Sequence, residues 1–149
     1  QILGWRAAKQ EEALLEIENI IREHRGFVFP DVVETLTELR RRGHTLILLT
    51  FGDRGYQKQK ITASGIAHLL DEIVITEEDK LEVVRRDREG EPIMFVDDKA
   101  EFMKRLGKDA GILTVHICRP EVETSLCEAG TCPAHHEITG IKSLLTLIS

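Results

Sequence analysis

Ile93-Met94-Phe95-Val96-Asp97-Asp98 sets an apolar run directly against two adjacent carboxylates. The apolar half predicts a short strand buried on both faces, the form strands take inside parallel sheets. The acidic half stands where that strand ends. Two neighbouring carboxylates at the rim of a core repel each other unless a cation separates them. The plain alternative is that one of them caps the next helix.

Working outward, three more apolar runs share this character: Thr45-Leu46-Ile47-Leu48-Leu49, Ile73-Val74-Ile75, and Ile112-Leu113-Thr114-Val115-His116-Ile117. Stretches near 54–64, 78–88 and 99–108 carry helical patterns between them. Strand alternating with helix predicts right-handed crossovers and a parallel sheet covered on both faces. Upstream, Ala13, Leu14, Ile17, Ile20 and Ile21 fall on one face of a helix over about 9–25. A second helix is expected from Pro30 to Arg42, burying Val32, Val33, Leu36 and Leu39 and stopped by Gly43. The tail offers a Cys/His-rich loop, a short strand at His136–Thr139 and a closing helix over Ile141–Ile148.

In open parallel sheets, ligands sit beyond the carboxyl ends of the strands. The first run leads there into Thr50-Phe51-Gly52-Asp53, the second into Thr76 and Glu77-Glu78-Asp79-Lys80, the third into Asp97-Asp98-Lys99. A hydroxyl and neighbouring backbone N–H groups can donate to phosphate oxygens. An ammonium stabilises charge during phosphoryl transfer. Paired carboxylates beside a phosphate suit Mg²⁺. Singly, Thr50 is an ordinary strand-end residue and Lys80 an ordinary helix-surface residue; their order together with Asp97-Asp98 is what carries information.

These motifs resemble those of the haloacid dehalogenase (HAD) superfamily. Phe29-Pro30-Asp31, Leu36, Leu39 and the run Gly43 to Thr50 look like its second motif, Lys80 like its third, and Phe95-Val96-Asp97-Asp98-Lys99 like its fourth. Gly107 to Val115 looks like the turn into its last core strand. The resemblance covers about residues 27 to 147. It implies a Rossmann-like three-layer α/β core over 26–149, with 1–25 as the remnant of a helical cap. It further implies a Mg²⁺-dependent phosphohydrolase acting on a small phosphorylated metabolite through an aspartyl-phosphate. Thr50, Phe51 and Lys80 would bind the phosphoryl group, Thr50 and Lys80 would act in catalysis, and Asp97 and Asp98 would hold the metal.

Two departures stand out. The family's first motif, Asp-x-Asp at the end of the first strand, supplies the nucleophile, and no Asp-x-Asp triplet occurs anywhere in this chain. That strand lies between those ending here at Thr50 and Val96, so the core is expected to lack its central strand. The expectation is an inactive fragment, with poor solubility or rescue by a partner that supplies the strand. The chain begins at Gln1 rather than Met, which points the same way. Second, many members carry Asp or Asn four residues past the metal-binding Asp; Phe102 stands there counting from Asp98, and Glu101 counting from Asp97. A non-catalytic phosphate-binding or regulatory domain of the same fold is therefore the alternative. A two-component receiver domain also uses an acidic pair, a Thr and a Lys, but in a different order from Thr50, Lys80, Asp97-Asp98.

Composition narrows the rest. The 149 residues are 42% hydrophobic and 31% charged, ordinary for a folded domain. The net charge of −6, with basic residues scattered, argues against nucleic-acid binding. No apolar run approaches the ~20 residues a membrane span needs. Three cysteines favour a reducing cytoplasm over a disulfide framework. Cys127, Cys132, His135 and His136 cluster, but without the spacing usual in zinc sites. Trp5 and Gln57-Lys58-Gln59-Lys60 read as packing and as a solvated helix face, respectively.

Overall fold

The computed structural model describes residues 28–87, 90–120, 122 and 133–148, and, within the expected N-terminal helix, Glu12, Leu15 and Asn19, which are helical. The remainder of that helix, Trp5, Cys127 and Cys132 lie outside the described residues.

The chain alternates as its periodicity predicts. Helix α1 (Pro30–Arg41) leads to β1 (Ile47–Phe51), α2 (Arg54–Ser64), β2 (Glu72–Thr76), α3 (Lys80–Asp87), β3 (Ile93–Asp97), α4 (Ala100–Leu106), β4 (Ile112–Ile117), β5 (His136–Ile138) and α5 (Leu144–Leu147). Pro30 starts α1 with a ring that needs no N–H partner, and Gly43, at φ 86°, turns the chain out of it. Asp53 caps α2 by accepting from Tyr56 N at 2.8 Å, and Gly65 closes it in the left-handed region.

All strand pairing is parallel, but the strands form two sheets, β1-β2 and β3-β4-β5. Residues alternate between the faces of the larger sheet. Phe95 and Ile112 pack under Leu81, Val84, Met103 and Leu106 of α3 and α4. Met94, Val96 and Val115 turn to the opposite side, against Leu39 of α1 and Leu144 of α5. This is a three-layer α/β core. Leu49 of β1 reaches the first of these clusters, which keeps the smaller sheet alongside the larger.

Between β1 and β3 no described strand runs. In a parallel ladder alternate residues bond to opposite neighbours. Gly52 N–H bonds to Thr76 O and Leu46 O accepts from Asp71 and Glu72, which turns the even-numbered backbone groups of β1 toward β2. Leu49 and Phe51 therefore face the gap. Ile93 N–H bonds to Gly111 O, so Met94 and Val96 face it from the other side. Among the described residues these two edges have no strand partner.

Some expectations need correction. The first strand begins at Ile47 rather than Thr45, and it includes Thr50 and Phe51. The buried face of α1 is Thr35, Leu36 and Leu39, while Val33 is 51% exposed. Thr35 is tolerated inside because its hydroxyl donates to Asp31 O one turn back. Nor are all strands buried on both faces: Ile47 and Phe51 are more than half exposed, and among the described residues the smaller sheet has no strand at its inner edge.

An ion pair ties the start of the fold to its end. Arg119 Nη2 lies 2.9 Å from Asp31 Oδ1, both largely buried, and its guanidinium stacks 3.8 Å from the Phe29 ring centroid. Asp31 Oδ2 also accepts from Lys142 N at 3.3 Å. Burial alone would raise the Asp31 carboxyl, but the hydrogen bonds from Arg119 and Lys142 and the Arg119 charge outweigh it and hold it below its ordinary value.

A depressed carboxylate stabilises the fold above its unfolded pKa and loses that contribution as pH falls through the folded one. Asp31→Asn is therefore expected to cost about 1 kcal/mol or more at neutral pH, in denaturant titrations, with the difference from the parent shrinking below about pH 4. Hydrogen exchange checks the gap. The amides of Leu49, Phe51, Met94 and Val96 should exchange about a hundredfold faster than that of Val115; equal protection would mean that the two edges have closed on each other.

Candidate active site

Each expected site residue sits at the carboxyl end of its strand. Thr50 is the penultimate residue of β1, Lys80 opens α3 just after β2, and Asp97 closes β3. The turn into α3 is held by its own side chains. Thr76 Oγ1 accepts from Glu78 N at 2.9 Å, and Asp79 Oδ1 from Leu81 N at 3.0 Å. Arg105 of α4 grips the second oxygen of Asp79. Chiefly through that Arg105 hydrogen bond, then the Leu81 N–H, the Asp79 carboxyl is held below the usual carboxylate range. This locked turn aims Lys80 across the rim.

Lys80 Nζ meets Asp97 Oδ2 at 2.8 Å, with side chains only 15% and 10% exposed. The same ammonium lies 5.4 Å from the Phe102 ring centroid, and Lys99 Nζ lies 5.6 Å from it. An aromatic face thus stands four residues past Asp98, and it favours cations beside it. Asp97 Oδ1 accepts from Lys99 N at 3.0 Å. The Asp98 residue is exposed. Asp97 is thus committed to Lys80 and the turn, and Asp98 is the carboxylate turned to solvent.

The structure joins Lys80 to Asp97 directly but gives Thr50 another partner. Its hydroxyl donates to Gln57 Oε1 at 2.9 Å. Gln57 Nε2 in turn donates to Phe51 O at 3.1 Å. The sequence pattern puts Gln57 only on a solvated helix face. Its place one turn after the Asp53 cap is the available sequence signal, since that turn returns to the strand end.

His116 is a second residue that the sequence reading misses. It is fully buried in β4, opposite Asp97 in register. Its Nε2 lies 3.1 Å from Asp98 O and its Nδ1 3.6 Å from Glu137 Oε2. A histidine inside an otherwise apolar strand is the signal, because a buried polar ring needs partners. As donor to a carbonyl, Nε2 braces the acidic turn from below. Nδ1 has no hydrogen-bond partner.

The zinc alternative finds no support among the described residues. His135 Nδ1 accepts from Thr114 N at 3.0 Å and is committed to the backbone. Among those residues no three His, Cys, Asp or Glu side chains converge on a metal position. The acidic pair offers the Asp98 carboxylate, turned to solvent, and an Asp97 carboxylate shared with Lys80, a donor set that fits Mg²⁺ held by one or two carboxylates with water completing its shell.

With this geometry in place, comparison with known proteins is decisive for the class. The model of the haloacid dehalogenase-like hydrolases matches residues 2–116, and the chain belongs to that family. Over 101 residues it is 34% identical to a glyceraldehyde 3-phosphate phosphatase of Methanopyrus kandleri, a match covering 61% of this chain and 43% of that protein. The chain thus spans less than half the length of that relative. Two structures of a dehalogenase, one with an intermediate complex, superpose with TM-score 0.62 and 26% identity over 80% of this chain and 55–56% of theirs. An L-2-haloacid dehalogenase, RSc1362, superposes equally well at 19% identity, covering 81% of this chain and 56% of its own, which speaks to fold alone.

His116→Ala removes the brace and leaves a cavity. It is expected to cost about 2 kcal/mol or more in denaturant unfolding. A change under about 0.5 kcal/mol would mean that the Asp98 turn stands without it.

Proposed function

We propose that this chain is the phosphate- and metal-binding part of a HAD phosphohydrolase that acts on a small phosphorylated metabolite through an aspartyl-phosphate. The observation that carries the proposal is the Lys80–Asp97 contact at the rim, beside a gap bounded by the open edges of β1 and β3. The phosphatase relative supports phosphate over halide chemistry.

Each group has a distinct task. Thr50 donates its hydroxyl proton to a phosphoryl oxygen, and the Phe51 N–H, turned to the gap, donates beside it. Lys80 shares its charge between Asp97 and the phosphoryl group, balancing what builds up in transfer. Asp97 and Asp98 would hold Mg²⁺, which supplies further charge neutralisation at the phosphate. No Asp-x-Asp nucleophile exists in these 149 residues. The aspartate is delivered by a strand that enters between β1 and β3, attacks phosphorus and breaks its bond to the ester oxygen, which leaves as the alcohol with a proton from the second Asp of that motif. Water then hydrolyses the acyl phosphate and frees the aspartate.

Phe102 favours a second reading, a phosphate-binding domain without turnover, since it adds no ligand to the acidic pair. Assays of p-nitrophenyl phosphate with Mg²⁺ separate the two. The 149-residue chain alone is expected to be inert. The same chain preceded by an apolar strand ending in Asp-x-Asp is expected to turn over, and Lys80→Ala should lower that kcat by about a hundredfold or more. Turnover by the unextended chain, or turnover indifferent to Lys80, would contradict the proposal. Phosphate binding by the extended chain without turnover would favour the second reading.

A further inference from the structure

Gln57 lies outside the groups assigned above, yet it touches one of them. We infer that it is a positioning residue that holds the Thr50 hydroxyl proton while the anion site is empty, so that a phosphoryl group must take the proton from it. The inference rests on the phosphate-binding role proposed for Thr50.

The chemistry of its two contacts fixes how the carboxamide lies. The Phe51 carbonyl offers only lone pairs, so the face of Gln57 toward it must be the NH₂ group, at 3.1 Å. The carboxamide oxygen is then left for Thr50, and the threonine is the donor, at 2.9 Å. Turning the carboxamide over would set oxygen against oxygen at Phe51.

The backbone holds this arrangement in place. Gln57 N–H bonds to Asp53 O at 2.9 Å in the first turn of α2. Gly52 has φ +131°, and a Cβ there would stand 3.0 Å from Gln57 Nε2. The bend at Gly52 thus leaves the room that the carboxamide occupies.

A threonine hydroxyl has one proton. The unprotonated oxygens of a phosphate only accept, and so does Gln57 Oε1 in this pose. The two compete for the same proton. Every ligand that needs it must break the Thr50–Gln57 bond, while ligands that bind Lys80 alone need not. Gln57 therefore sets how strong an acceptor must be before Thr50 joins in binding it.

Phosphate titration of the 149-residue chain by calorimetry tests this, using Gln57→Met, Thr50→Val and the double variant. Gln57→Met removes the competitor and is expected to tighten inorganic phosphate by about threefold to tenfold. In the Thr50→Val background the same substitution should change affinity by less than about twofold, because no proton is at stake. The Gln57 carboxamide resonances should move on phosphate addition in the parent and stay still in Thr50→Val. Gln57→Leu removes the competitor in the same way, is expected to tighten phosphate similarly, and serves if the Met variant does not fold. Unchanged or weaker binding in Gln57→Met, or an equal effect without the Thr50 hydroxyl, overturns the inference while leaving the phosphate site standing. Failure of the parent chain to bind phosphate overturns both.

Discussion

A parallel strand buried in a sheet needs hydrogen-bonding neighbours on both sides, and among the described residues two strands here each lack one. Leu49 and Phe51 on β1 and Met94 and Val96 on β3 present backbone donors and acceptors to a common gap. Unpaired backbone groups are costly when dry and adhesive when wet. The distinctive features of the molecule trace to that constraint. The core divides into two sheets held side by side by Leu49 and the helices rather than by a ladder. The exposed apolar residues of β1 belong to the smaller sheet. The expected phosphate-binding hydroxyl stands on β1, while the lysine–carboxylate contact reaches across from the turn after β2 to the end of β3.

The site is therefore assembled in unequal parts. Around Lys80 and Asp97 it is rigid. Asp79, Thr76 and Arg105 lock the turn that carries Lys80, Asp97 holds the ammonium, and His116 supports the acidic turn from inside the sheet. On the β1 bank Thr50 is saturated by Gln57, within its own sheet and helix. A ligand, or a strand that spans the gap, is what would bring the two banks to one centre. This explains why the chain brings Lys80 and Asp97 together and still leaves Thr50 with a partner of its own.

Much of this is legible in the sequence. Four apolar runs separated by helical patterns specify a parallel α/β core, and the chemistry-bearing residues stand at the carboxyl ends of the first three. Asp97, Asp98 and Lys80 stand out because carboxylates against a buried strand, and a lysine opening a helix on the same rim, are rule-bound positions. The absent Asp-x-Asp is equally visible, and with it the place of the gap. Periodicity fails where tertiary contacts decide. Val33 fits the apolar face of α1, but Thr35 takes the buried position by bonding its own helix backbone. Gln57 sits in a run of polar residues, and only the bend at Gly52 folds it back onto Thr50. His116 hides in a strand whose other members are mainly apolar; its partners lie 18 and 21 residues away in the chain, Asp98 before it and Glu137 after it, beyond the reach of local patterns.

A structure of the protein in its catalytically active form tests the central claim most directly. The account requires a parallel strand in the gap, bonded on one side to Leu49 and Phe51 and on the other to Met94 and Val96, with an aspartate at its carboxyl end facing Lys80. Direct pairing of β1 with β3, or an active enzyme whose gap holds no strand, would contradict it.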